Sequence, residues 1–458
     1  MAVYSLNALG PTPPLVLFAT LIFLPLAYFI YQRRFHPLAG IPGPLWASLT
    51  RLWMTKHSWD GDMNVVMIEL HRKHGSLVRT GPSEVSVSDL SAIKQIYGAG
   101  TKFRKSEWYS VWQGHRKFDL FGERNEQIHA TQRRLVSRAY AMESLRDLEP
   151  YVDDAVKVFL DNMAERSGQV LDLGNWVQLF AFGIIYEDVI GGVTFSKRFG
   201  FMDAAADDGS FGRIETALKS AAWVGQIPII YWIHDALSPY IGNHLGIAAR
   251  HGSLRNFAVQ EITARQDRGG DQHDILSKLK AIQKAKPHEM DGNAVASMAT
   301  SNVFAGSDTT AISLRAIIYY LLKNVSCKQR LINEIDTLRN QGRLSDPVKL
   351  SEADNMPYLQ AVMYEALRLH PAVGMSLPRT VPQGGANIAE YYIPGGTVVG
   401  ANPWVVHRNE EVFGDDIEAF RPERWLDEDK KGDMHRYFFA FGSGARTCIG
   451  RNISWLEM

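Results

Sequence analysis

The chain opens with an uncharged stretch. Residues 1–32 contain no Lys, Arg, Asp or Glu, and Leu15 to Tyr31 is nearly all apolar. Counted from Pro13 the apolar run is about 19 residues, or ~28 Å of helix, which approaches the ~30 Å of a hydrocarbon core. Arg33, Arg34 and His36 follow at once. A cleaved signal peptide needs a positive n-region and a small-residue cleavage site, and neither is present. The pattern predicts a transmembrane anchor at 13–31 behind a short luminal segment at 1–12, with the basic pair holding the rest in the cytosol. Residues 32–45, with Pro37, Pro42 and Pro44 among glycines, read as a stiff hinge.

Two later segments have clear periodicity. From about Asp291 to Lys323 the chain contains no proline and reads as one long helix, weakened locally by Gly306, Thr309 and Thr310. Pro357 to Pro371 reads as a helix with proline at its start and its stop. It sets Glu365 and Arg368 one turn apart on one face. A solvated pair of this kind contributes only a few tenths of a kcal/mol. Taken alone, the Gly-Ser-Asp-Thr-Thr segment reads first as a close helix–helix contact of small residues, and second as a groove opened by a threonine hydroxyl bonding back to the preceding turn.

Composition narrows the classes. The 458 residues carry 49 basic and 49 acidic side chains, so no basic surface argues for nucleic acid. With 46% hydrophobic residues and neither repeats nor low-complexity linkers, residues 46–458 read as one large domain. Two cysteines, Cys327 and Cys448, exclude a disulfide framework and any four-cysteine metal site. No G-x-G-x-x-G follows a predicted strand, so the chain lacks a nucleotide domain of its own.

The candidate chemistry sits near the end, in Phe441-Gly-Ser-Gly-Ala-Arg-Thr-Cys448-Ile-Gly450. A thiolate here is suited to be the single axial ligand of a haem iron. Amides of Gly442, Gly444 and Gly450 can approach the sulfur because no Cβ intervenes. Phe441 can cover it, and Arg446 has the planar fork that meets a haem propionate. A buried free cysteine in a glycine turn is the alternative for a bare Gly-x-x-x-Cys.

The full F-x-x-G-x-R-x-C-x-G string resembles the haem-binding loop of the cytochrome P-450 family. The resemblance runs in motif order from the anchor to Met458. It implies a mainly α, helix-rich single domain with a small β region, binding haem b through Cys448. It implies that Thr309 hydrogen-bonds iron-bound O2, that Asp308 relays protons, and that Glu365, Arg368 and Arg424 of Phe420-Arg-Pro-Glu-Arg-Trp425 form a buried network behind the haem. Arg379 follows Leu377-Pro378, where the family has a haem-contacting strand. His129 and Arg133 lie in a segment similar to the family's W-x-x-x-R helix, with His129 in place of tryptophan. Phe118–Arg124 and Arg138–Met142 are similar to fungal members near pisatin demethylase. The implied activity is insertion of one oxygen atom into a lipophilic small molecule, plausible for secondary metabolism. Electrons then come from NADPH through a membrane-bound reductase, and the place is the endoplasmic reticulum membrane, single-pass, with a cytosolic catalytic domain. Aromatic segments at Phe103–Gly122, around 200–235, at Thr300–Thr309 and at Ala372–Leu377 are the expected pocket walls. The family continues for several dozen residues beyond this loop, whereas this sequence stops eight residues after Gly450. A haem-binding remnant without turnover and a membrane-anchored scaffold are therefore the alternative readings.

Overall fold

The computed structural model describes residues 13–186, 190–195, 201–206, 209–268 and 273–458. The expected luminal segment 1–12 lies outside them, as does part of the pocket stretch around 200–235. The described chain is mainly helical with two small sheets, as the sequence predicts.

The predicted membrane anchor finds no support in the fold. A helix does form, at Pro13–Ile30, and it exposes Leu21, Phe23 and Leu24. Yet among the described residues no helix is long and apolar enough to cross a membrane. The helix has 18 residues, about 27 Å. The chain then turns through a π-helix at Tyr31–Phe35 that carries Arg33 and Arg34.

The long helix runs Gly292–Lys323. Asp291 caps it by accepting the Ala294 amide at 2.7 Å, satisfying one of the donors a helix start leaves free. It crosses the molecule as its central beam, packed against the helices Leu173–Tyr186, Ser253–Arg268 and Pro357–Leu369. Val295, Ala299, Val303 and Ala311 on it are fully buried in the largest core.

The main sheet combines strands from distant parts of the chain. β1 (Leu77–Gly81) and β2 (Glu84–Val87) form a hairpin, and β3 is Arg104–Lys105. β4 (Arg379–Thr380) follows the helix Pro357–Leu369, then come β5 (Ala386–Ile388), β6 (Tyr391–Ile393) and β7 (Val398–Gly400). The order is β1-β2-β7-β4-β3, with β5 and β6 as a separate pair. β3 and β4 pair antiparallel with Lys105 opposite Arg379. That register places two cations side by side.

Candidate functional site

The cysteine loop is shaped by its glycines. Gly442 and Gly444 hold φ of +70° and +62°, a region that favours glycine. A Cβ on Gly444 would stand 2.0 Å from the Tyr97 carbonyl oxygen, so no other residue fits there without backbone movement. The Cys448 amide donates to the Phe441 carbonyl at 2.9 Å and closes the loop. The helix Arg451–Glu457 begins directly after Gly450.

The Cys448 side chain is accessible, yet it lies deep within the molecule. Burial pushes its thiol pKa up, while the amides of Gly450 and Arg451 and the charge of Arg133 favour the thiolate. The sequence expectation of three glycine amides at the sulfur holds for Gly450 alone. Arg451 supplies the second donor, and the Gly442 amide instead donates to the Phe439 carbonyl at 3.0 Å.

Cations converge beside this loop. Lys105 and Arg379 are 5% and 3% exposed as cross-strand neighbours, an arrangement that like charges disfavour. Neither forms an ion pair with a carboxylate among the described residues. Lys105 donates to the Phe121 carbonyl, and Arg379 to the Tyr109 hydroxyl at 3.3 Å. Burial first, then Arg379 and Arg446, holds the Lys105 ammonium well below its usual pKa. His129 is buried, and desolvation and the surrounding cations push it down to about 3, so it is neutral. A pocket with this surplus of buried positive charge fits a ligand bearing carboxylates. That is a structural argument for the two propionates of haem, with the Cys448 sulfur as a suitable soft ligand.

The other two expected cations have protein partners. Arg446 makes a bidentate contact with Glu126 at 3.0 and 2.8 Å and donates to the Glu123 carbonyl at 2.8 Å. Arg133 donates to the Thr447 carbonyl at 2.7 Å. Both therefore fasten the helix Glu126–Val136 to the cysteine loop. Lys105 was missed by sequence reasoning because its partner Arg379 is remote in the chain and only the sheet brings them together.

The acid–threonine pair lies mid-way along the long helix. Thr309 is exposed and donates its hydroxyl to the Ala305 carbonyl at 2.8 Å, which weakens the helical ladder there. Burial raises the Asp308 pKa, with Glu215 adding to the effect and Arg315 opposing it. Thr310 faces the other way and donates to Glu457 Oε2 at 2.9 Å, joining the long helix to the helix after the cysteine loop. Burial pushes Glu457 up to about 8 from an ordinary 4.5. Between those values the folded state holds a proton that the unfolded state has released, so stability falls as pH rises across this window. Glu457→Gln is expected to flatten that slope, as urea midpoints compared at about pH 5 and 8 would reveal.

Glu365, Arg368 and Arg424 come together behind the loop, all but excluded from solvent. Glu365 accepts two bonds of 2.8 Å from Arg368, one of 3.0 Å from Arg424 and one of 2.8 Å from the Trp425 indole. Arg368 reaches on to the carbonyls of His407 and Ile417. His407, absent from the sequence reading, links this network to the loop. Its Nδ1 donates to the Arg368 carbonyl at 3.0 Å and its Nε2 accepts the Phe439 amide at 2.7 Å. That tautomer is neutral, in keeping with burial pushing the ring down to about 3.

A helix-rich fold with an accessible cysteine in a glycine loop, buried cations beside it and an ion network behind it defines a haem-thiolate oxidoreductase. The chain matches the cytochrome P450 family over residues 40–458. It is 41% identical to cytochrome P450 monooxygenase hepC of Aspergillus oryzae, covering 94% of this chain and 87% of that one. It is 36% identical to cytochrome P450 monooxygenase gsfF of Penicillium aethiopicum, over 94% and 88%. A pisatin demethylase of Fusarium vanettenii is 34% identical over 96% and 84%. The chain belongs to the cytochrome P450 family and is a monooxygenase of the fungal type.

Proposed function

We propose that this chain inserts one oxygen atom from O2 into a lipophilic small molecule of fungal secondary metabolism, with electrons from NADPH delivered by a separate flavin-containing reductase. The observation that carries this reading is the accessible Cys448 sulfur, held by two backbone amides next to unpaired buried cations. Cys448 serves as the thiolate ligand of haem b. Lys105, His129 and Arg379 receive its carboxylates, while Arg133 and Arg446 fix the loop and add positive charge. Gly442 shapes the turn, Phe441 anchors it and Gly450 donates to the sulfur. When bound, the haem supplies the activation of O2.

The protein residues handle protons. Thr309 offers a hydroxyl from the weakened turn of the long helix. Asp308, with its pKa raised by burial, holds a proton nearer to neutral pH than a solvated aspartate does. Glu365, Arg368 and Arg424 keep the loop in place. The apolar helix Pro13–Ile30 supports attachment to the endoplasmic reticulum membrane, with the catalytic domain on the cytosolic side.

Turnover of candidate aromatic substrates by the holoenzyme with reductase and NADPH tests the activity, and absence of any oxygenated product across such a panel would argue for a haem-binding remnant. For Thr309→Ala, product formation is expected to fall on the order of a hundredfold while NADPH oxidation continues. Unchanged product per NADPH would remove the role given to that hydroxyl.

A further inference from the structure

A second buried cluster, centred on Asp119, packs against Phe304 of the long helix and contains none of the residues assigned to the haem. Asp119 is completely buried and accepts the amides of Phe121 and Gly122 at 2.9 and 3.0 Å. Two guanidinium groups share it. Arg116 pairs with its Oδ2, and Arg250 approaches the same oxygen at 3.4 Å. Both arginines also donate to the Trp112 carbonyl. Two cations against one carboxylate leave one positive charge. His251 beside them adds none, since burial and the arginines push it down to about 3. Arg250 is 2% exposed, and burial lowers its pKa to about 9, which still leaves it charged at neutral pH.

The donors are also in surplus. Arg250 Nε, Arg116 Nη1 and Trp112 Nε1 are buried and find no acceptor among the described residues. A single buried N–H can be satisfied by water, but water does not neutralise a desolvated cation, which is costly to leave unpaired. The neighbours are aromatic. The Arg250 guanidinium lies 5.0 Å from the Phe304 ring, and the Trp112 and Phe304 rings are 6.0 Å apart. Phe304 belongs to the long helix, one turn before Asp308.

We propose that Arg250, Arg116 and the Trp112 indole form an anion subsite that takes the carboxylate of a lipophilic aromatic substrate, holding its apolar body against Trp112 and Phe304 toward the Thr309 turn. A monoanion balances the surplus charge, whereas a phosphate dianion overshoots it. Charge-assisted bonds from a guanidinium are strong and directional, so this subsite sets orientation as well as affinity. This assignment rests on the monooxygenase reading for its place next to the oxygenation site.

The test compares naphthoate with its neutral near-isostere naphthamide on the haem-loaded chain, by calorimetry and by the shift of the Soret band. Naphthoate is expected to bind roughly tenfold tighter. That preference should vanish in Arg250→Gln and shrink several-fold in Trp112→Phe, which removes one N–H and keeps the ring. Retention of the thiolate-type band with carbon monoxide shows that each variant is folded. Equal binding of the two probes, no naphthoate binding, or a preference unchanged in both variants would overturn the subsite. Loss of the carbon monoxide band in the wild-type chain would count against the haem reading instead, and the calorimetric comparison would still decide the anion site.

Discussion

Cys448→Ala is expected to abolish the thiolate-type Soret shift of the reduced, carbon monoxide-treated protein completely. The sulfur is the only accessible thiol among the described residues. Cys327, the other cysteine, is buried on the helix Val325–Asn340 and offers no substitute ligand. The fold itself should survive. Cys448 fills no core, and its removal forfeits only two amide contacts to sulfur, each contributing about 1 kcal/mol or less. Circular dichroism and thermal unfolding of the variant should therefore stay close to wild type while the spectrum changes entirely. An unaltered shifted band in the alanine variant would mean that another group is the ligand.

Glu365→Ala should produce the opposite pattern, a loss of fold rather than of one spectroscopic band. Glu365 is the single carboxylate that receives Arg368, Arg424, the Trp425 indole and the Arg421 amide, all within 3.0 Å. Its removal leaves the buried Arg368 guanidinium with no carboxylate and Arg424 with Asp416 alone, at 2.9 Å, a cost of about 3–5 kcal/mol. Against a total stability of about 5–15 kcal/mol, that is enough to unfold much of the protein or to prevent haem retention. An exposed pair such as Arg436–Asp433 gives the control. Arg436→Ala should cost about 0–1 kcal/mol. Urea unfolding and haem content measure both variants, and a Glu365→Ala protein as stable as wild type would show the network to be dispensable.

The difference between these two pairs separates what spacing along the chain determines from what it does not. Glu365–Arg368 and Asp433–Arg436 have the same spacing and opposite surroundings, one at 0% side-chain exposure and the other at 66%. Spacing fixes whether two side chains on a helix can meet. Burial depends on which elements close over them, here His407, Ile417 and Trp425 from later segments. The Pro-Glu-Arg-Trp motif supplied that context for Arg424, but His407 stood in no pattern that would single it out. Arg446 is a similar case. Its suitability for a carboxylate was legible, and it does hold one, but the carboxylate is that of Glu126 on another helix.

The sequence by itself determined the local facts. The absence of proline and the Asp291 cap set the long helix, the flanking prolines set Pro357–Leu369, and Gly442 and Gly444 provided the positive φ angles that the cysteine loop requires. These follow from backbone sterics and near-neighbour hydrogen bonds, which depend only on residues close in the chain. The tertiary structure decided the electrostatics. It placed Lys105 opposite Arg379 and gathered Arg116 and Arg250 on one carboxylate. Charge pairing and desolvation act through space, between residues whose separation along the chain carries no information about their distance.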